Sequence, residues 1–250
     1  MKKLFVSFPI LLMVMSCAEL SQVVKDFGAN QPLTQSEVIS GLKQALVIGA
    51  DSAAKTLAKT NGYYVDELVK ITLPPQAQTI TQNLSKIPGS EKMVEDVLLR
   101  INRAAEDAAR EAAPIFAKAI SQMTIQDGFK ILNGETDAAT QYLRSQTYDE
   151  LYDLYKPKIK ASVEKKLAGN ISTAEAWETL TGQWNRVAQS FIGQMADLES
   201  VEMELDQYLT EKALDGLFLK LANEEKEIRT NAEARVTDLL RRVFGSTNPQ

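Results

Sequence analysis

The densest run of side chains that could do chemistry is Arg100-Ile101-Asn102-Arg103-Ala104-Ala105-Glu106-Asp107-Ala108-Ala109-Arg110-Glu111. On a helix, three- and four-residue spacings set Arg103 and Arg110 against Glu106 and Asp107. Two readings follow. The run could be a cleft-lining polar network, with Asn102 and Arg103 donating hydrogen bonds to an anionic ligand. The reading favoured by the ordinary behaviour of such runs is a solvated helix face whose ion pairs contribute about 0.3–0.5 kcal/mol each. Two further groups have the same character. Asp137, Thr140, Gln141 and Arg144 span one to two turns after a glycine turn, and Glu211, Lys212 and Asp215 recur on another segment. The candidate polar cluster is therefore Asn102, Arg103, Glu106, Asp137, Arg144, Glu211, Lys212 and Asp215, one site only if the fold makes three helices converge.

Tyr148, Tyr152 and Tyr155, with Trp177 and Trp184 downstream, form an aromatic stripe. Such a stripe can wall a sugar or lipid site, or be core whose polar tips reach the rim. The chain has no histidine. That removes Ser-His-Asp and Cys-His nucleophilic machinery, histidine-containing metal sites and a histidine proton shuttle. No EF-hand run occurs either. No cofactor, metal site or catalytic residue is expected. The surviving enzymatic alternative is a carboxylate-dependent cell-wall glycan hydrolase, in which a buried glutamate acts as general acid. Glu106 and Glu199 are its candidates, though no glycine-rich or aromatic motif accompanies Glu199-Ser200.

The only cysteine, Cys17, belongs to a different part of the chain. Lys2 and Lys3 precede a mostly apolar run, Leu4 to Met15, with the layout of a secretion signal. It is shorter than the roughly 20 residues a spanning helix needs. Val14-Met15-Ser16-Cys17 resembles the lipobox of bacterial lipoproteins, which implies cleavage before Cys17 and acylation of its thiol. One acyl chain anchors only marginally, at about 0.8 kcal/mol per buried methylene, so two or three are needed for stable attachment. A lone cysteine forms no internal disulfide, and once acylated it is no thiol. Ala18, rather than aspartate, follows it; by resemblance to lipoprotein sorting this favours the outer membrane, facing the periplasm. The expected organisation is a signal peptide at 1–16, a lipidated tether at 17–32, a helical domain at 33–245 and a polar tail at 246–250.

Loss of Lys2 and Lys3 with the signal takes the formal net charge from −5 to −7. Cations and carboxylates are mixed along the body, so nucleic acid is not an expected partner. The expected partners are the membrane, through acylated Cys17, and an envelope protein or small ligand.

Helical punctuation positions these residues. Thr34-Gln35-Ser36-Glu37 is a capping-box pattern opening a stripe that Asn61-Gly62 closes. Ile71 to Pro75 should be extended ahead of its prolines, with a short helix over 76–85. Ser90 should cap a helix to about Gln122, kinked or split by Pro114. Thr124 opens another, which Asn133-Gly134 should stop with a left-handed cap. A helix from about Glu135 to Gln146 should then end, because Thr147-Tyr148-Asp149-Glu150 repeats the capping pattern ahead of a helix bent at Pro157 and closed at Gly169-Asn170. Ser172 to Glu175 opens a helix carrying Trp177 through Phe191 and Ile192. The helix through Leu205 to Leu221 is apolar on two sides, so it is either sandwiched or broken near Thr210. The last should run from Asn231 to Phe244. Nothing alternates with period two. The expectation is an all-α, bundle-like domain of about eight to ten helices without a sheet.

Several of these segments together resemble one bacterial family. They are Ser40-Gly41-Leu42-Lys43-Gln44-Ala45-Leu46, Asn102-Arg103-Ala104-Ala105-Glu106, Met123-Thr124-Ile125 leading to Ile131-Leu132-Asn133-Gly134, Asp137 to Arg144, and Thr210 to Phe218. The chain is similar in them to the DUF4197 family of envelope proteins. That resemblance implies a compartment and domain limits, and supplies no catalytic residue to carry over.

Overall fold

The computed structural model describes residues 34–74, 90–166, 172–195, 197, 200, 202 and 204–246. Cys17, Glu199, the tether, the short helix expected over 76–85 and the Gly169-Asn170 stop lie outside them. Among the described residues the fold is all-α, with nine α-helices and no strand beyond an isolated bridge between Lys166 and Ser172.

The first helix, α1 (Gln35–Ala58), buries Leu42, Ala45, Leu46, Gly49, Ala53 and Leu57, the spacing its sequence shows. It stops ahead of Asn61, which takes φ 69°, a conformation asparagine tolerates. The chain then crosses the domain as a loop, residues 59–74, with Tyr63, Val69 and Ile71 buried.

The helix expected from Ser90 to Gln122 is two, α2 (Ser90–Ala109) and α3 (Ala112–Gln122). The break falls at Arg110 and Glu111 because the Pro114 ring clashes with the carbonyl four residues earlier, leaving Pro114 in the first turn of α3 where its missing N–H costs nothing. Along α2 the buried residues Ala104, Ala105, Ala108 and Ala109 let a neighbouring helix approach.

The helix expected to open at Thr124 is α4 (Ile125–Leu132), and its capping box is complete. Thr124 Oγ1 accepts from the Asp127 N–H at 3.1 Å, and Asp127 Oδ2 accepts from the Thr124 N–H at 3.1 Å. The Thr124 hydroxyl also donates to Asp127 Oδ2 at 2.7 Å, and that bond first, then the one from the Thr124 N–H, holds the Asp127 carboxyl below its ordinary range. Asn133-Gly134 ends the helix without a left-handed cap, since Asn133 sits at φ −93°. Gly134 is there for space: an added Cβ would lie 2.7 Å from that of Ala138 and 2.9 Å from the Lys130 carbonyl.

The largest correction concerns α5 (Ala138–Val163), one helix where two were expected. Thr147 does not cap anything. It is buried, and its hydroxyl donates to the Leu143 carbonyl one turn back at 2.7 Å, so a capping pattern is absorbed into a helix interior. The helix also continues through Pro157.

The helix expected to open at Ser172 is α6 (Thr173–Ala188), with Ser172 and Glu175 forming a reciprocal cap through bonds of 2.7 and 3.1 Å. Phe191 and Ile192 do not continue α6; they open the short α7 (Phe191–Met195) and are 77% exposed. Helix α8 (Leu205–Thr230) passes unbroken through the fully buried Thr210. It is the sandwiched alternative, with Leu209, Leu214, Leu217 and Leu221 buried around its circumference and α2 and α5 packed on it. The last expected helix is also split, into a single 3₁₀ turn (Ala232–Ala234) and α9 (Asp238–Ser246), which retains Gly245.

Candidate functional site

The candidate polar residues fall into three groups. The first clamps the 59–74 loop to α2. A buried loop needs partners for its backbone groups, and Asn102, fully buried, gives Ile71 both. Its Oδ1 accepts from the Ile71 N–H at 2.9 Å, while its Nδ2 donates to the carbonyls of Ile71 at 2.9 Å and Leu98 at 2.8 Å. One side-chain amide therefore does the work of a neighbouring strand. One turn on, the buried Glu106 accepts from Arg103 Nη1 at 2.5 Å and from the Tyr63 N–H at 3.4 Å. Arg103 Nη2 reaches Asn61 Oδ1 at 2.8 Å. From the far side the Tyr63 hydroxyl donates to the Ala213 carbonyl on α8 at 2.8 Å, and Lys220 pairs with Asp66.

The second group joins α5 to α8. Asp215 accepts from Arg144 Nη2 at 2.9 Å and from Lys212 Nζ at 3.3 Å. The Arg144 guanidinium lies over the rings of Phe218 and Tyr148, at 5.2 and 5.5 Å. Tyr148 is held above its ordinary pKa, first by burial and then by the carboxylates of Glu211 and Asp215. Glu211 accepts from Gln207 Nε2 at 3.0 Å. Asp137 stands apart from both groups; its carboxylate accepts from Gln141 Nε2 at 3.0 Å. Among the described residues no hydrogen bond or ion pair links the Asn102 group to the Arg144 group. The aromatic stripe divides similarly: Tyr155 and Trp177 are buried, whereas Tyr148 and Tyr152 are half-buried and stacked at 6.3 Å.

The most densely bonded carboxylate was not among the candidates. Glu225 of α8 is 7% exposed and faces the start of α5. It accepts from the N–H groups of Ala139 at 3.0 Å and Thr140 at 2.8 Å, and from the Thr140 hydroxyl at 2.9 Å. Arg229 completes the set with bonds of 3.0 and 2.8 Å, and also donates to the Ile131 carbonyl at 2.9 Å. A carboxylate at a helix N-terminus meets unpaired N–H groups and the positive end of the dipole. Glu225 is thus the cap that Asp137, in the usual position, does not supply. The cavity beside it, about 20 Å³, has room for about one water and is walled mainly by aliphatic side chains of α1, α5 and α8. The sequence did carry a signal: Glu225 continues the apolar stripe Leu214, Leu217, Leu221, Ile228, with Arg229 four residues on. A buried arginine, Arg235, closes the C-terminal end of α8, donating to the carbonyls of Ile228 at 3.0 Å and Arg229 at 2.9 Å.

The described residues also form open grooves, two of which bear on the candidates. One, of about 490 Å³, runs between α2 and α5, with Asp96, Arg100, Arg103 and Asp107 on one wall and Lys158 and Lys165 on the other. The second, of about 420 Å³, lies where the end of α5 meets α6 and the start of α8; Glu164, Glu178, Glu202, Glu204 and Asp206 outnumber its single lysine, Lys160. No cluster with metal-ligand geometry occurs among the described residues.

Compared with known proteins, residues 32–245 match the model of one family, DUF4197, described as a protein of unknown function. No curated protein and no solved structure matches the chain.

Proposed function

The chain belongs to the DUF4197 family, and from that premise we propose that it is a lipid-anchored, periplasm-facing envelope module that binds a partner or small ligand without catalysis. The anchor in this reading is acylated Cys17, and the outer membrane its site. The observation that carries the binding half is how the polar side chains are used. Buried Asn102, Glu106 and Glu225 are committed to backbone and arginine partners inside the fold, while the α2–α5 groove is open and of ligand size. A glycan hydrolase needs a carboxyl group presented to its substrate. Glu106 spends one oxygen on Arg103 and the other on the Tyr63 N–H, which supports a structural role.

The test has two parts. Mass spectrometry of the N-terminal peptide should find Cys17 acylated, and a Cys17→Ser chain should stay unacylated and leave the membrane fraction. The purified chain should melt higher with an envelope ligand present and leave peptidoglycan intact. Peptidoglycan digestion abolished by Glu106→Gln would overturn the non-catalytic reading.

A further inference from the structure

We propose that the groove between α2 and α5 binds a phosphate-bearing anion, clamped by Arg100 and Lys165. This deepens the binding reading above. The chain is acidic, with net charge −5, yet this groove carries four cations against two carboxylates, Asp96 and Asp107. The excess comes from α5 and the residues just past its end, which contribute Lys158 and Lys165 to the wall and no acid.

The four cations are not equivalent. Arg103 is held by Glu106 and Asn61, and Lys158 by Glu111 at 2.7 Å. Arg100 and Lys165 are exposed, and among the described residues neither side chain has a hydrogen-bond or ion-pair partner. They also share one end of the groove. The Ser162 hydroxyl donates to the Arg100 carbonyl at 3.1 Å, and Lys158 bonds Glu111, so α5 runs antiparallel to α2. Lys165, three residues past Ser162, then lies toward Arg100 and Asp96. The Ser162 bond fixes the spacing of the two walls at that point.

The chemistry of the pair selects the ligand. A guanidinium presents a planar fork of donors and an ammonium a compact point charge. A carboxylate can be satisfied by the fork alone. A phosphate keeps further oxygens for the ammonium and carries up to two negative charges. Asp96 at the same end offsets one of the two cations, so a singly charged ligand gains little there and a doubly charged one is favoured. The volume, about 490 Å³, accommodates a phosphate with an attached group. Such a phosphate could arrive free in solution or as a lipid headgroup.

The two sources are separable on the full chain held in neutral detergent. Isothermal titration with inorganic pyrophosphate, and separately with water-soluble short-chain phosphatidic acid, whose phosphomonoester can carry two charges, should give saturable binding to at least one, weakened by added salt. Short-chain phosphatidylcholine is the neutral control. Binding of pyrophosphate alone assigns a soluble phosphate; tighter binding of phosphatidic acid, competed by pyrophosphate, assigns the headgroup. The double variant Arg100→Gln, Lys165→Gln should melt like the parent, since neither side chain is bonded, and lose roughly ten- to a hundredfold in affinity. Lys59→Gln with Lys226→Gln, outside the groove, should lose nothing comparable. Absence of binding by both probes, or equal loss in the two double variants, overturns the proposal. Neither result touches the anchor: a chain shown to lack acyl groups on Cys17 would refute the anchored reading and leave the groove standing.

Discussion

The two sides of α2 use the same residue types to opposite ends. On the inner side Asn102 and Glu106 are at most 2% exposed, and every polar atom of theirs that is bonded reaches a loop, a helix carbonyl or Arg103. On the groove side Arg100, two residues before Asn102, is exposed and unbonded through its guanidinium among the described residues. The difference teaches that a charged and amide-rich helix motif is not one object. Its buried members hold an irregular segment in place, because backbone groups taken from water must be paired; its exposed members are available to a ligand.

The severest break of that contrast is at Glu225. Glu225→Ala strands two buried N–H groups and Arg229, and should cost about 3–5 kcal/mol in urea unfolding. A loss below about 1 kcal/mol would mean that buried polar groups here are not structural. Next is Gly216, against which the clamped loop rests. An added Cβ would lie 2.9 Å from the Tyr63 ring and 3.2 Å from Val69 Cβ. Gly216→Ala should therefore cost about 1–3 kcal/mol and speed hydrogen exchange at Tyr63 and Ile71; unchanged exchange would show that the loop does not depend on that seat.

Tyr155 should respond with the opposite sign. Its hydroxyl is buried and has no hydrogen-bond partner among the described residues, so Tyr155→Phe should be neutral or stabilising by up to about 1 kcal/mol. Burial pushes Tyr155 above its ordinary value, and Tyr63 likewise, with Tyr155 and Glu106 adding to the rise in Tyr63. A raised folded-state pKa gives stability that is complete below the unfolded value of about 10 and is lost as pH rises beyond it. The parent chain should thus lose stability on the alkaline side, and Tyr155→Phe should flatten that loss; an identical alkaline profile would contradict the assignment. The smallest effect belongs to Asp215→Asn. Its pair with Arg144 is 41–44% exposed, and removing it should change the unfolding free energy by less than about 1 kcal/mol.

What was legible in the sequence was set by local rules. The caps at Thr124 and Ser172, the end of α1 near Asn61 and the apolar stripes of α1 and α8 are decided within a few residues, and the structure has them where the pattern places them. Pro114 announced a break, though the clash moves it four residues upstream. Thr147 misled because a hydroxyl can bond forward as a cap or backward to a carbonyl, and only packing around Leu143 and Leu151 decides which. The cluster misled for a related reason: helical spacing says which residues share a face, not which other helix that face meets. Asn102 and Glu106 find their partners Ile71 and Tyr63 31 to 43 residues away in a loop, which neither the ligand-network reading nor the solvated-face reading of that run contained. Glu225 went unread because the N–H groups it caps are 85 and 86 residues distant.

The contrast between the two sides of α2 is tested most directly by comparing Asn102→Ala with Arg100→Gln in urea unfolding. Asn102→Ala leaves the Ile71 N–H and carbonyl buried without partners and should cost about 2–4 kcal/mol, while Arg100→Gln should stay within about 0.5 kcal/mol of the parent. Equal losses, or a larger loss from Arg100→Gln, would contradict the division of α2 into a structural side and a binding side.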